Sequence, residues 1–104
     1  MGGKLKLNPN PTFKAKVPIP VPGSAPALVE FTFKHKTRSA LVEWLEERKE
    51  DDEVGVFREI VASWDLDDEF NDENIRRLCD NYAGAGFAVL RVYLDELRGA
   101  RQGN

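Results

Sequence analysis

Three acidic residues at alternate positions, Asp65, Asp67 and Glu69, stand where a calcium loop places its first, third and fifth ligands. Such a loop also needs glycine at its sixth position for a sharp turn and a bidentate glutamate at its twelfth. Phe70 and Arg76 occupy those places, so the run reads as an acidic turn ahead of a helix. His35 is the single histidine and Cys79 the single cysteine. A histidine base needs an orienting partner and a nucleophile within reach, whereas His35 follows Phe33 on a strand between two lysines and reads as a satisfied strand-end residue. Cys79 shares a helix face with Ile75, Leu78 and Tyr82, where a free thiol packs as a small hydrophobe. One histidine and one cysteine do not make a structural zinc site. Gly84-Ala85-Gly86 lacks the preceding strand and the third glycine of a dinucleotide loop, and reads as a helix junction. No phosphate loop, serine elbow or metalloprotease motif is present. These residues assemble no catalytic set, no cofactor site and no metal site. The expectation is a protein that binds rather than one that makes or breaks a covalent bond.

The chain that must position these groups has 104 residues, 41% of them apolar and 32% charged, which suits one soluble globular domain. With one cysteine no intrachain disulfide forms, and a reducing compartment is expected. No run approaches the roughly 20 apolar residues that span a bilayer, and no short apolar segment near the start reads as a signal peptide. Charge is divided unevenly. Residues 1–38 carry seven Lys/Arg against one acid, Glu30, and residues 39–104 carry eight against seventeen. The two halves are expected to form differently solvated surfaces, with an acidic helical surface able to meet a basic partner.

Asn8-Pro9-Asn10-Pro11 opposes a helix, so residues 1–12 read as a flexible, Pro-containing opening segment. Phe13, Ala15, Val17, Ile19 and Val21 then alternate with Lys14, Lys16, Pro18 and Pro20. That period of two predicts a strand, and its prolines confine it to a sheet edge. After the turn Pro22-Gly23-Ser24-Ala25-Pro26, Val29, Phe31, Phe33 and His35 alternate with Glu30, Thr32, Lys34 and Lys36. Residues 13–36 thus predict an antiparallel hairpin with one apolar and one cationic face, and helices must cover the apolar one.

Residues 37–98 predict four short helices. Thr37 caps the first, which runs to about Lys49 with Leu41, Trp44 and Leu45 as its stripe. Asp51 or Asp52 caps the second, whose stripe is Val54, Phe57, Val61 and Trp64, widened by Ile60. Asn71 caps the third, flanked by Phe70 and Ile75 at the spacing of a hydrophobic staple. Asp72 and Glu73 sit in its first turn, where the helix dipole favours negative charge. The fourth carries Phe87, Leu90, Leu94 and Leu97, with Tyr93 beside them, and frays at Gly99 into a tail over 99–104. The fold expected is α+β: an N-terminal hairpin packed on about four C-terminal helices, in one domain over 13–98.

Trp44, Trp64 and Tyr82 fall on apolar helical stripes, whose default is core, yet aromatic residues also anchor protein interfaces. The helices supply more apolar stripe than so small a domain buries alone, which points to a possible homo-oligomer. A nucleic-acid reading rests on Lys4, Lys6, Lys14, Lys16, Lys34, Lys36 and Arg38, which could follow phosphates. Phe13, Phe31 and Phe33 oppose it, because alternation turns them away from the lysine face where bases would stack.

Trp64-Asp65, the run Asp68-Glu69-Phe70-Asn71-Asp72-Glu73-Asn74-Ile75, Leu78, Asn81-Tyr82 and the apolar helix from Phe87 to Leu97 resemble the tail assembly chaperones of long-tailed bacteriophages and prophages. The opening K-L-K-L-N-P-N-P-T-F-K-A-K-V-P-I-P-V-P-G is similar to the β-rich start of one branch of that family. Ala83-Gly84 departs from the pattern, standing where a proline is expected after the tyrosine. The resemblance implies a non-enzymatic protein that coats the tape measure protein, helps recruit tail tube protein and leaves before the virion is complete. Its place would be the bacterial host cytoplasm, outside the mature virion. The protein-binding residues expected are Trp64, Asp65, Asp68, Phe70 and Tyr82, on or beside the acidic turn. The alternative is a small regulatory nucleic-acid-binding module that uses the Lys-rich hairpin.

Overall fold

A computed structural model describes residues 5–48 and 52–99. The alternating segments form strands β1 (Thr12–Ile19) and β2 (Ala27–Lys34), paired antiparallel with Phe13 opposite Phe33 and Val17 opposite Val29. The in-register alternation leaves Val17, Ile19, Val29, Phe31 and Phe33 buried on one face, with Lys14, Lys16, Leu28 and Lys34 exposed on the other. β1 is an edge strand, so Pro18 removes no ladder bond that a neighbour would need.

Helix α1 (Arg38–Glu47) starts at the expected cap, where Thr37 Oγ1 accepts the Ala40 N–H at 3.1 Å. Lys49, expected near its end, and Asp51, one candidate cap for the next helix, lie outside the described residues. Helix α2 (Glu53–Ile60) is capped by Asp52, whose Oδ1 accepts the Gly55 N–H at 3.0 Å. A β-carbon on residue 55 would stand 2.2 Å from Asp52 Oδ2, so glycine makes room for the capping carboxylate. Its cost in helix propensity is thereby offset.

The expected second helix is two elements. Helix α2 stops at Ile60, and Val61–Trp64 form a third strand, β3, antiparallel to β2. The stripe Val54, Phe57, Val61 and Trp64 imitated a helix because β3 carries an irregularity. Phe33 pairs with Val61 and Thr32 with Ser63, so Ala62 is the extra, unpaired residue. That bulge keeps Val61 and Trp64 on the core side although they are three residues apart, a spacing also found on one helix face. β3 also occupies the second edge of β2, whose backbone groups helices alone would have left unpaired. The sheet order is β1-β2-β3.

Helix α3 (Asp72–Asn81) begins at Asn71, whose Oδ1 accepts the Asn74 N–H at 2.9 Å; the flanking Ile75 is fully buried and Phe70 half-buried. Helix α4 (Ala85–Arg98) ends where Gly99 turns left-handed at φ 69°, a conformation that favours glycine. Residues 100–104 of the expected tail lie outside the described residues.

The face that α4 buries differs from the one expected. Ala85, Val89 and Tyr93 are buried, at i, i+4 and i+8. Leu90, Leu94 and Leu97 are half-buried, and Phe87 is 71% exposed. Hydrophobicity alone favoured the Phe/Leu row. Rotation is decided instead by Tyr93, which threads the core, stacks 6.0 Å from Phe13, meets Phe33 at 5.2 Å and donates its hydroxyl to the Lys34 carbonyl at 2.7 Å. Only that orientation gives the phenol a buried polar partner. Trp44 of α1 meets the same ring edge-on at 6.5 Å. The helices therefore cover one side of an α+β sheet, and the other side stays solvated.

Candidate protein-binding site

The acidic turn is held from four directions. Asp65 continues the β2–β3 ladder by donating its N–H to the Glu30 carbonyl at 3.1 Å, while its Oδ1 accepts the Glu30 N–H at 3.0 Å. The Trp64 indole N–H donates to the Asp68 carbonyl at 2.7 Å. Its ring meets Phe70 edge-on at 5.0 Å and Phe31 edge-on at 6.2 Å. The Asn74 side-chain amide donates to the Glu69 carbonyl at 2.8 Å. Arg58 of α2 lies 5.1 Å from the centre of the Phe70 ring and donates to Asp72 Oδ1 at 2.7 Å. Satisfied carbonyls and packed rings leave this turn little freedom, although its carboxylates face water.

A cleft of about 350 Å³ opens between the hairpin end, the acidic turn and α3. Ile19, Val21, Ala27 and Val29 line it from the hairpin; Trp64, Leu66 and Asp68 from the turn; Asn74, Arg77, Leu78, Asn81 and Tyr82 from α3 and its cap. Of the five expected binding residues, the cleft brings together Trp64, Asp68 and Tyr82. Asp65 and Phe70 do not line it, and their contacts are to their own chain. Tyr82 ends α3 at 37% exposure, outside the core to which its helical stripe pointed. Sequence reasoning overlooked Val21, Leu66 and Arg77. Leu66 carried a usable signal as the single apolar residue between Trp64 and Phe70. Arg77 carried none, because an arginine among the charged residues of a helix reads as a solvated face; in the fold its Nη1 donates to Asn74 Oδ1 at 2.8 Å. The apolar floor with a polar rim suits an apolar side chain presented by a polar backbone.

The other candidates take up structural posts. His35 is exposed, and its backbone N–H donates to the Pro11 carbonyl at 2.8 Å. Lys34 Nζ donates to the Arg58 carbonyl at 2.8 Å, and Lys36 pairs with Glu59 while lying 5.6 Å from the centre of the Trp44 ring. Two of the hairpin cations are thus engaged within the molecule. Among the described residues no group of three or more His, Cys, Asp or Glu is placed to hold a metal, and no helix is long and apolar enough to cross a membrane.

Burial, aided by the charge of Glu53 and a hydrogen bond to it, pushes the Cys79 thiol from its ordinary 9.0 up to about 12. Burial, and secondarily the charge of Glu59, likewise raises the Tyr93 phenol above its ordinary 10.0. Both groups are held neutral in the fold, so the unfolded chain releases these protons first as pH rises. Their contribution to stability is intact below pH 9.0 and declines above it, towards about 12 for the thiol. Unfolding free energies from urea titrations are expected to stay level between pH 7 and 8.5 and to fall at higher pH, by about 1.4 kcal/mol per pH unit for each group fully titrating in the unfolded state. Cys79→Ala should flatten the first part of that fall; an unchanged slope would assign it elsewhere.

The geometry is that of a small α+β domain with a walled cleft whose polar rim carries Asp68, Asn74, Arg77 and Asn81. The sequence matches the phage tail assembly chaperone family over residues 1–104, the whole chain, and the protein belongs to that family. Comparison with curated proteins finds no match, and comparison with solved structures finds none.

Proposed function

We propose that this chaperone binds the tape measure protein, keeps its apolar helical segments soluble and presents it to tail tube protein, without itself catalysing a reaction. It acts in the cytoplasm of the bacterial host and is absent from the finished virion. Family membership supports the assembly role. The observation that carries the contact is the cleft, where the Tyr82 ring stands beside Trp64, Leu66 and Leu78 under a polar rim. Aromatic side chains around such a recess are the residue types that dominate binding energy at protein interfaces. Trp64, Asp65 and Phe70 serve the contact by holding the turn, and Asp68 and Tyr82 by meeting the partner.

Co-expression with the tape measure protein of the same locus tests this. The full chain should raise the soluble fraction of that protein and co-purify with it. Tyr82→Ala, at a site outside the core, should leave the thermal midpoint within about 2 °C and weaken the complex about 10- to 30-fold. A tape measure protein equally soluble without this chain, with no complex formed, would sink the reading.

A further inference from the structure

The outer side of α4 carries Phe87, Arg91, Asp95 and Arg98, and with Leu90 and Leu94 at its margin, where they also pack against the core, these residues line a shallow groove of about 280 Å³. Arg91 and Arg98 are exposed, while Leu90, Leu94 and Asp95 are half-buried. Among the described residues none of these three charges forms an ion pair. The spacing of the six residues is self-complementary to within one residue. When a second α4 is laid antiparallel about a point between Val92 and Tyr93, Phe87 lies level with Arg98, and Leu90 with Leu94 and Arg91 with Asp95 each lie within one residue of level, about 1.5 Å along the axis. Each meeting then occurs twice by symmetry.

We infer that a second copy of this chain docks here, α4 against α4, in a two-fold antiparallel pair. The leucines form the centre, two Arg91–Asp95 ion pairs flank it, and each Arg98 guanidinium covers the opposite Phe87 ring. An isologous contact closes on itself and yields a dimer rather than a filament. An apolar row alone would accept any greasy helix. The alternation of Arg91, Asp95 and Arg98 favours this register and disfavours a parallel one, which would set like charges side by side. The surface is distinct from the cleft under Tyr82, so the inference stands apart from the proposed tape measure contact. One helix against one helix lies at the small end of specific interfaces, so the dimer is expected to dissociate with a Kd of about 1–100 µM.

Sedimentation equilibrium of the full chain from about 1 to 500 µM brackets that range. The wild type should pass from monomer to dimer. Asp95→Arg and, separately, Arg91→Asp should each weaken association at least tenfold, because each sets like charges opposite one another. The double variant, Arg91→Asp with Asp95→Arg, should return to within about threefold of wild type, because the ion pairs re-form with reversed polarity. Circular dichroism and thermal midpoints would verify that all four proteins are folded, and Arg91 is exposed enough for its variant to fold. A wild type that stays monomeric to the top of the range overturns the inference. So do single variants that dimerise like wild type, or a double variant that stays as weak as the singles.

Discussion

Replacing Tyr93 by alanine is expected to remove about 4–5 kcal/mol of stability, from the range measured when buried aromatics are truncated plus the loss of a buried hydrogen bond. A domain of this size is stable by about 5–15 kcal/mol, so much of the protein should be unfolded at low urea. The reason is the number of elements that share one ring. Tyr93 stands on α4, stacks on Phe13 of β1, meets Phe33 of β2 and is met edge-on by Trp44 of α1. Its hydroxyl holds the last carbonyl of β2, that of Lys34. Tyr93→Phe keeps the rings and loses that single bond, and should cost about 1 kcal/mol. Urea titrations followed by circular dichroism would measure both variants. A loss below about 2 kcal/mol for the alanine variant would show that α4 is not held by this residue.

The second large effect is expected at Trp64, where alanine should cost about 3–4 kcal/mol and loosen the acidic turn. The indole fills the angle between Phe31 and Phe70, and its N–H satisfies the Asp68 carbonyl. With the ring removed, the contacts that direct Leu66 and Asp68 towards α3 are lost, and the cleft loses one wall. Trp64→Phe should retain the edge-on contacts and cost about 1 kcal/mol for the missing donor. Amide hydrogen exchange gives the local readout: protection across residues 65–71 should fall in the alanine variant well before global unfolding. Protection retained there would mean that Asp65 and Asn74 hold the turn without the indole.

Much of this architecture was legible in the chain because it rests on local rules. The alternation through Phe13–Ile19 and Val29–Phe33 is a short-range pattern, and its prolines located the edge. Thr37, Asp52 and Asn71 cap helices through bonds to residues three positions ahead, a distance that sequence displays directly. The acidic turn could be placed between Trp64 and Asn71 for the same reason. The binding candidates divided once long-range contacts were known. Asp65 acts on Glu30, thirty-five residues away, and Phe70 serves Arg58 and Trp64, whereas Tyr82 turned outward at the end of its helix.

By itself, the sequence determined the alternation of the hairpin strands, the caps and the breaks at glycine, since each depends on neighbours within about one helical turn. Tertiary structure decided three things. It made Val61–Trp64 a strand, because the open edge of β2 needed backbone partners and a bulge preserved the three-residue spacing. It chose the Ala85–Val89–Tyr93 face of α4, because a buried phenol needs an acceptor and Lys34 offered one. It made the cleft, because Val21, Leu66 and Arg77 are distant along the chain and become neighbours only when α3 packs beside the hairpin end. Hydrophobic burial is non-directional and tells a chain how much to cover; the directed hydrogen bonds of the packed fold settle which side is covered.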